Sequence, residues 1–174
     1  MKVIANAGPL MALGKLGLLH LLYQLYESVE IPSAVYEEVV TVGLELEQPD
    51  AYAVEFAVAA KEITVVSMDN ADLSEAVRDL PIGKGEKQAI QLGLLESPDW
   101  ILLDDVLARE EAQQLGLKVK GTLGIIVEAY RRGYLSIGEV ELILQSIMTR
   151  EDIWISEALV RRVGNELRKV RQEE

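Results

Sequence analysis

Four apolar residues, Trp100–Leu103, run without a break into Asp104 and Asp105, and a helical pattern starts directly behind them. A strand buried on both faces shows such a continuous apolar run, whereas a half-exposed strand alternates. Behind the aspartates, Val106, Leu107, Ala108, Ala112 and Leu115 recur on one side of a helix that Gly116 stops. A buried strand that feeds a helix belongs to a parallel sheet with helical crossovers, and in open sheets of that kind ligands sit at the carboxyl ends of the strands. Two carboxylates are thus set where this architecture does its chemistry. One of them has an ordinary explanation too, because Asp is a favoured N-cap whose oxygen accepts from the free N–H groups of a first turn.

The rest of the chain repeats the alternation. Lys2–Ala5 reads as a first strand, broken at Asn6-Ala7-Gly8-Pro9. Leucines at three-residue steps, Leu10 to Leu25, predict one helix over Leu10–Tyr26, weakened by Gly14 and Gly17. His20 lies among them and reads as a core or boundary residue. Val29–Ile31 is a second strand, followed by a helix Ala34–Val40 with Ser33 as its cap. Thr41–Pro49 reads as loop, Asp50–Ala60 as an Ala-rich helix and Ile63–Val66 as a β-branched strand. Asp69–Leu80 is an acidic helix or loop. Ile82–Leu94 opens with two glycines and becomes a helix with Glu86 in its first turn, where the helix dipole alone would favour a carboxylate. Leu117–Val119 is a last short strand, and Leu123–Arg132 a helix closed by Gly133. Ser136 and Glu139 form a capping-box pattern before a helix Glu139–Met148. The final helix, Ser156–Val170, carries Arg161, Arg162, Arg168 and Lys169, with Arg171 just beyond, and reads as a solvated basic face. The expected architecture is α/β with a mainly parallel sheet over residues 1–135 and a helical extension over 136–174, packed on the core or on a partner chain.

Composition narrows the chemistry. The 174 residues include no Cys and a single His, which disfavours a structural zinc site, so any metal would be a hard ion held by oxygens, Mg²⁺ or Mn²⁺. A net charge of −12 argues against nucleic-acid binding spread over the whole surface, although a local basic patch is compatible with it. No apolar run reaches the roughly 20 residues of a membrane span, and Met1-Lys2 leads straight into a strand, so a cytoplasmic location is expected.

Asn6, Glu38, Glu86 and the pair Asp104/Asp105 all fall near strand ends or helix starts. If they converge, their charges need compensation, since two carboxylates about 4 Å apart cost roughly 4 kcal/mol at an effective dielectric of 20. A divalent cation is the economical answer.

The segments V-I-A-N-A-G-P-L-M-A-L, V-E-I-P-S-A-V-Y-E-E-V, G-K-G-E-K-Q-A-I, I-L-L-D-D-V-L-A-R-E-E-A and G-T-L-G-I-I, in that order, resemble the PIN domain, and more narrowly a prokaryotic branch of uncharacterised PIN-like proteins. The resemblance runs from about residue 2 to 135 and extends weakly to the last helices. It implies a three-layer α/β/α sandwich and, for many members, a Mg²⁺- or Mn²⁺-dependent ribonuclease serving as the toxin of a toxin–antitoxin pair. It places Asn6 where the family's first-strand Asp binds metal, and Glu38 and Glu86 at its helical acids. The aspartate pair falls at its fourth-strand acid. Register favours Asp105, but the two are not separated. Thr122 falls near the site as a small polar contact, and Arg109, a helical turn past Asp105, would neutralise the acids or touch phosphate.

Asn6 departs from the family pattern. An amide oxygen can bind Mg²⁺ but brings no charge, so weaker metal affinity is expected; Asn also suits a strand-end turn. Two readings follow: a metal-dependent endoribonuclease acting on RNA, with a homodimer and an antitoxin as partners, or a catalytically weak PIN-fold module that binds nucleic acid or protein. A nucleotide hydrolase is disfavoured because the G-x-x-x-x-G-K-[ST] phosphate loop is missing.

Overall fold

The computed structural model describes residues 1–173, with side chains through residue 169. Five strands, β1 (Lys2–Ala5), β2 (Ser28–Pro32), β3 (Thr64–Val66), β4 (Trp100–Leu102) and β5 (Val119–Lys120), form one sheet in the order β3-β2-β1-β4-β5, every pair parallel. Around it lie α1 (Ala7–Lys15), α2 (His20–Leu25), α3 (Ser33–Tyr36), α4 (Gly43–Glu45), α5 (Pro49–Ala59), α6 (Glu75–Arg78), α7 (Lys84–Glu96) and α8 (Val106–Gln114). The chain builds outward from β1 to β3, then crosses back to β4 on the other side of β1. The order therefore switches between β1 and β4, and the crevice beyond their carboxyl ends is where such sheets take ligands.

Continuous apolar strands make this sheet because it is covered by helices. Val3, Ile4, Ala5, Ile31, Ile101 and Leu102 are fully buried. Ile4 packs with Met68, Ala89 and Leu92, and Ile101 with Leu73, Val77, Ile90 and Ala112. Each such side chain contributes about 1.5–3 kcal/mol by leaving water.

Several expectations change. The single helix over Leu10–Tyr26 is two, because Gly17 takes a left-handed conformation (φ +69) that ends α1 and lets the chain restart at His20. Gly14 is a contact point rather than a weakness: a Cβ there would stand 2.7 Å from the Cβ of Asp50, where α1 and α5 pack. The segment read as loop after Val40 stays helical, first as a π-helical stretch, Glu37–Val42, then as α4. Asp69–Leu80 holds a 3₁₀ turn, Asn70–Asp72, and α6. The last strand lies at Val119–Lys120 rather than Leu117–Val119.

The chain divides into two compact units, one of Met1–Thr122 and one from Leu123 onward. The second contains most of α9 (Thr122–Arg131), then α10 (Ile137–Thr149) and α11 (Glu157–Glu173). Ser136 caps α10 as its sequence pattern predicts: its Oγ accepts from Glu139 N–H, and its own N–H donates to Glu139 at 2.7 Å. On the final helix Arg161 pairs with Glu157 within α11, and Arg168 with Glu141 of α10; the Arg171 side chain lies outside the described residues. Among the described residues no helix is long and apolar enough to cross a membrane.

Candidate functional site

Asn6 directly follows β1, and its N–H donates to the Leu102 carbonyl of β4 at 3.0 Å, which fixes the residue at the switch crevice. It stands as the N-cap of α1, yet its side chain makes no capping bond. Its Oδ1 is buried and has no hydrogen-bond partner, although the whole residue is only 5% exposed. A buried, unpaired acceptor carries a desolvation cost of about 1–3 kcal/mol, so this oxygen needs an explanation.

Its surroundings supply one. A Cβ built on Gly85 would lie 3.3 Å from Asn6 Oδ1 and 3.2 Å from Glu38 Oε2, so the two oxygens are no more than 6.5 Å apart. A Cβ at this position would crowd both oxygens, and glycine leaves the gap open. Glu38 arrives from the π-helical stretch, and π turns concentrate at functional sites. Burial pushes the Glu38 carboxyl above the usual range, and the negative charge of Glu86 pushes it further. Glu38 and Glu86 line a pocket of about 480 Å³ with Glu37, Lys84 and Gly85. Lys84 faces Glu37 at 3.6 Å, both exposed. Glu86 also has a structural duty: its Oε2 accepts from Gly83 N–H at 2.5 Å, closing the first turn of α7.

The aspartate pair divides. Asp105 is the N-cap of α8, with Oδ1 accepting from Ala108 N–H at 2.8 Å, and the residue is exposed. Asp105, which the register favours, is thus committed to the helix cap, whereas the Asp104 carboxylate turns inward. Asp104 accepts from Thr122 N–H at 2.7 Å and from Thr122 Oγ1–H at 2.6 Å. Burial raises its titration; the two Thr122 bonds and the nearby Arg109 charge pull the other way without cancelling it. Thr122 is fully buried and its hydroxyl donates to Asp104, which fixes the orientation of this acid. Arg109 donates to the Leu103 carbonyl at 3.2 Å and stands against Gly121, where a Cβ would come within 2.7 Å of its Nη1 and 2.9 Å of Asp104 Oδ1. A Cβ on Gly8 would meet Asp104 Cβ at 3.3 Å. Glycines thus let α1 and the β5–α9 turn close on this carboxylate.

Two stations result, Asn6–Glu38–Glu86 beside the pocket and Asp104–Thr122–Arg109 at the end of β4. Among the described residues no three acids or histidines gather into one metal-holding cluster. The expected single pocket of four acids is therefore not what the side chains form. Sequence reading missed Lys84, Gly8, Gly85 and Gly121; only G-K-G-E, as a glycine-flanked helix start, carried a visible signal. It also missed Gln88, a buried amide on the helix behind the pocket.

A doubly wound parallel sheet with acidic side chains at its strand ends and helix starts defines an α/β domain whose ligand crevice lies at the carboxyl ends of the strands. The family model described as a PIN domain matches residues 2–169, and the chain belongs to that family. Comparison with curated proteins gave no match.

Proposed function

We propose that this PIN-domain chain is a divalent-metal-dependent ribonuclease, with Asn6, Glu38 and Glu86 holding Mg²⁺ or Mn²⁺ and Asp104 as the acid across the crevice. The unpartnered Asn6 Oδ1 beside Glu38 Oε2 carries the reading. These donors fit a hard cation: all are oxygens, and Mg²⁺ commonly keeps several waters while taking one or two carboxylates. Asn6 offers the neutral oxygen, Glu38 the charge least committed elsewhere, and Glu86 a carboxylate already oriented by Gly83. When bound, such an ion supplies water activation and charge compensation at a phosphodiester. Thr122 holds Asp104 in one orientation at the crevice, and Arg109 lends it a nearby positive charge. Lys84, at the pocket rim, offers a positive charge to RNA phosphate. A toxin role with an antitoxin partner, and a homodimer, rest on family membership alone.

Two observations favour a second reading, a catalytically weak module that binds nucleic acid or protein: Asn6 is neutral, and no three acids share a cluster among the described residues. An RNA-cleavage assay in Mn²⁺ separates the two. Wild type should cut and Glu38→Gln should not. No cleavage by wild type, with cutting restored in Asn6→Asp, would select the second reading.

A further inference from the structure

We propose that Gln88 is a positioning residue for the pocket: its side-chain amide caps the helix leading to Glu38 and so sets where that carboxylate stands relative to Glu86. The inference rests on reading the pocket as a divalent-cation site.

Sequence assigns the cap of this helix to Ser33, but Ser33 is used elsewhere. Its Oγ donates to the Met68 carbonyl at 2.9 Å and accepts from Met68 N–H at 3.1 Å. The N-cap position itself is Pro32, which has no side-chain acceptor. The free N–H of Ala34 is taken instead by Gln88 Oε1 at 2.9 Å, from 54 residues away. Gln88 Nε2 donates to the Met68 carbonyl at 3.0 Å. The amide is 1% exposed, and none of its atoms is left unpaired. One buried side chain therefore joins three elements: α7, the first turn of α3 and the segment after β3.

The placement matters because the two acids sit on either side of this clamp. Glu86 lies two residues before Gln88 on α7. Glu38 lies four residues after Ala34, on the π-helical stretch that continues α3 without a break. Between them Val35 closes to 3.3 Å of the Cβ position of Gly85. No direct bond links Glu38 to Glu86, and like charges push them apart. Their separation is fixed by how α3 seats on α7, and the directional part of that seating is the Gln88 amide.

The test uses the full chain with Mn²⁺ as the probe, its binding followed by electron paramagnetic resonance. Gln88→Met keeps the length and loses the hydrogen bonds with Ala34 N–H, Ser33 Oγ and the Met68 carbonyl; Mn²⁺ affinity should fall by about 10–100-fold, the usual effect of losing a group that orients a ligand. Gln88→Glu should restore most of it. Burial favours the neutral acid, whose carbonyl oxygen accepts from Ala34 N–H and whose O–H donates to Met68. A cap with a purely structural role would lower the melting temperature of Gln88→Met without moving Mn²⁺ affinity, and that result overturns the proposal. Glu38→Gln is the control. If it loses Mn²⁺ while Gln88→Met does not, the pocket reading stands and the role of Gln88 falls. If Glu38→Gln binds Mn²⁺ like wild type, the pocket reading itself falls. Should Gln88→Met not fold, Gln88→Asn, one methylene short of Ala34, takes its place with the same expectation. In wild type the Ala34 amide should exchange slowly with solvent; exchange at the rate of a free amide also overturns the proposal.

Discussion

Replacing Asn6 by Asp puts a charge where the chain carries a buried, unpartnered oxygen, and its cost without metal follows from the geometry. Asn6 Oδ1 and Glu38 Oε2 are no more than 6.5 Å apart. At that distance and an effective dielectric of about 20, two unit charges repel by about 2.5 kcal/mol. Glu38 is partly open to water, which screens the pair, so about 1–2 kcal/mol is expected. For a chain of this size each kcal/mol moves the melting temperature by about 2–4 °C. Asn6→Asp in EDTA should therefore melt about 2–8 °C below wild type at pH 7. The deficit should shrink as pH falls, because protonating either carboxyl removes the repulsion. Mn²⁺ should reverse it, since a ligand at 100 times its dissociation constant adds about 2.7 kcal/mol to the folded state. The assay is a thermal melt over a Mn²⁺ series at pH 5 and pH 7. A variant that melts like wild type in EDTA and gains nothing more from Mn²⁺ would refute the placement of Asn6 beside Glu38 as cation ligands.

Gly85→Ala should weaken Mn²⁺ binding, because its methyl would stand 3.2–3.3 Å from Glu38 Oε2, Asn6 Oδ1 and Val35; unchanged affinity in calorimetry would show that the gap is not used. Thr122→Val removes the donor 2.6 Å from Asp104, should cost about 1–3 kcal/mol in urea unfolding, and should raise the Asp104 titration further. Glu38→Gln should stabilise the metal-free protein at neutral pH. The folded-state pKa of Glu38 is raised, so the fold binds its proton more tightly than the unfolded chain does and loses stability as pH rises through that range. The gain should vanish below the unfolded carboxylate pKa of about 4.3, and a pH-independent gain would contradict the assigned cause.

The alternation of strands and helices was legible in the residues because burial on both faces of a parallel sheet forces unbroken apolar runs such as Trp100–Leu103. The cap at Ser136 was legible because its partner Glu139 is three residues away. Local spacing carries such features wherever the chain lies. The order β3-β2-β1-β4-β5, the division of labour between Asp104 and Asp105, and the capping of α3 by Gln88 were decided by tertiary packing. Each depends on a partner far along the chain: Thr122 lies 18 residues from Asp104, and Gln88 lies 54 from Ala34. A one-residue choice between adjacent aspartates has no periodic signature, and a cap supplied by another helix leaves no trace in the sequence around the end it caps. The residues alone therefore determined the alternation of elements and the local caps, and only the folded chain determined which distant side chains face one another.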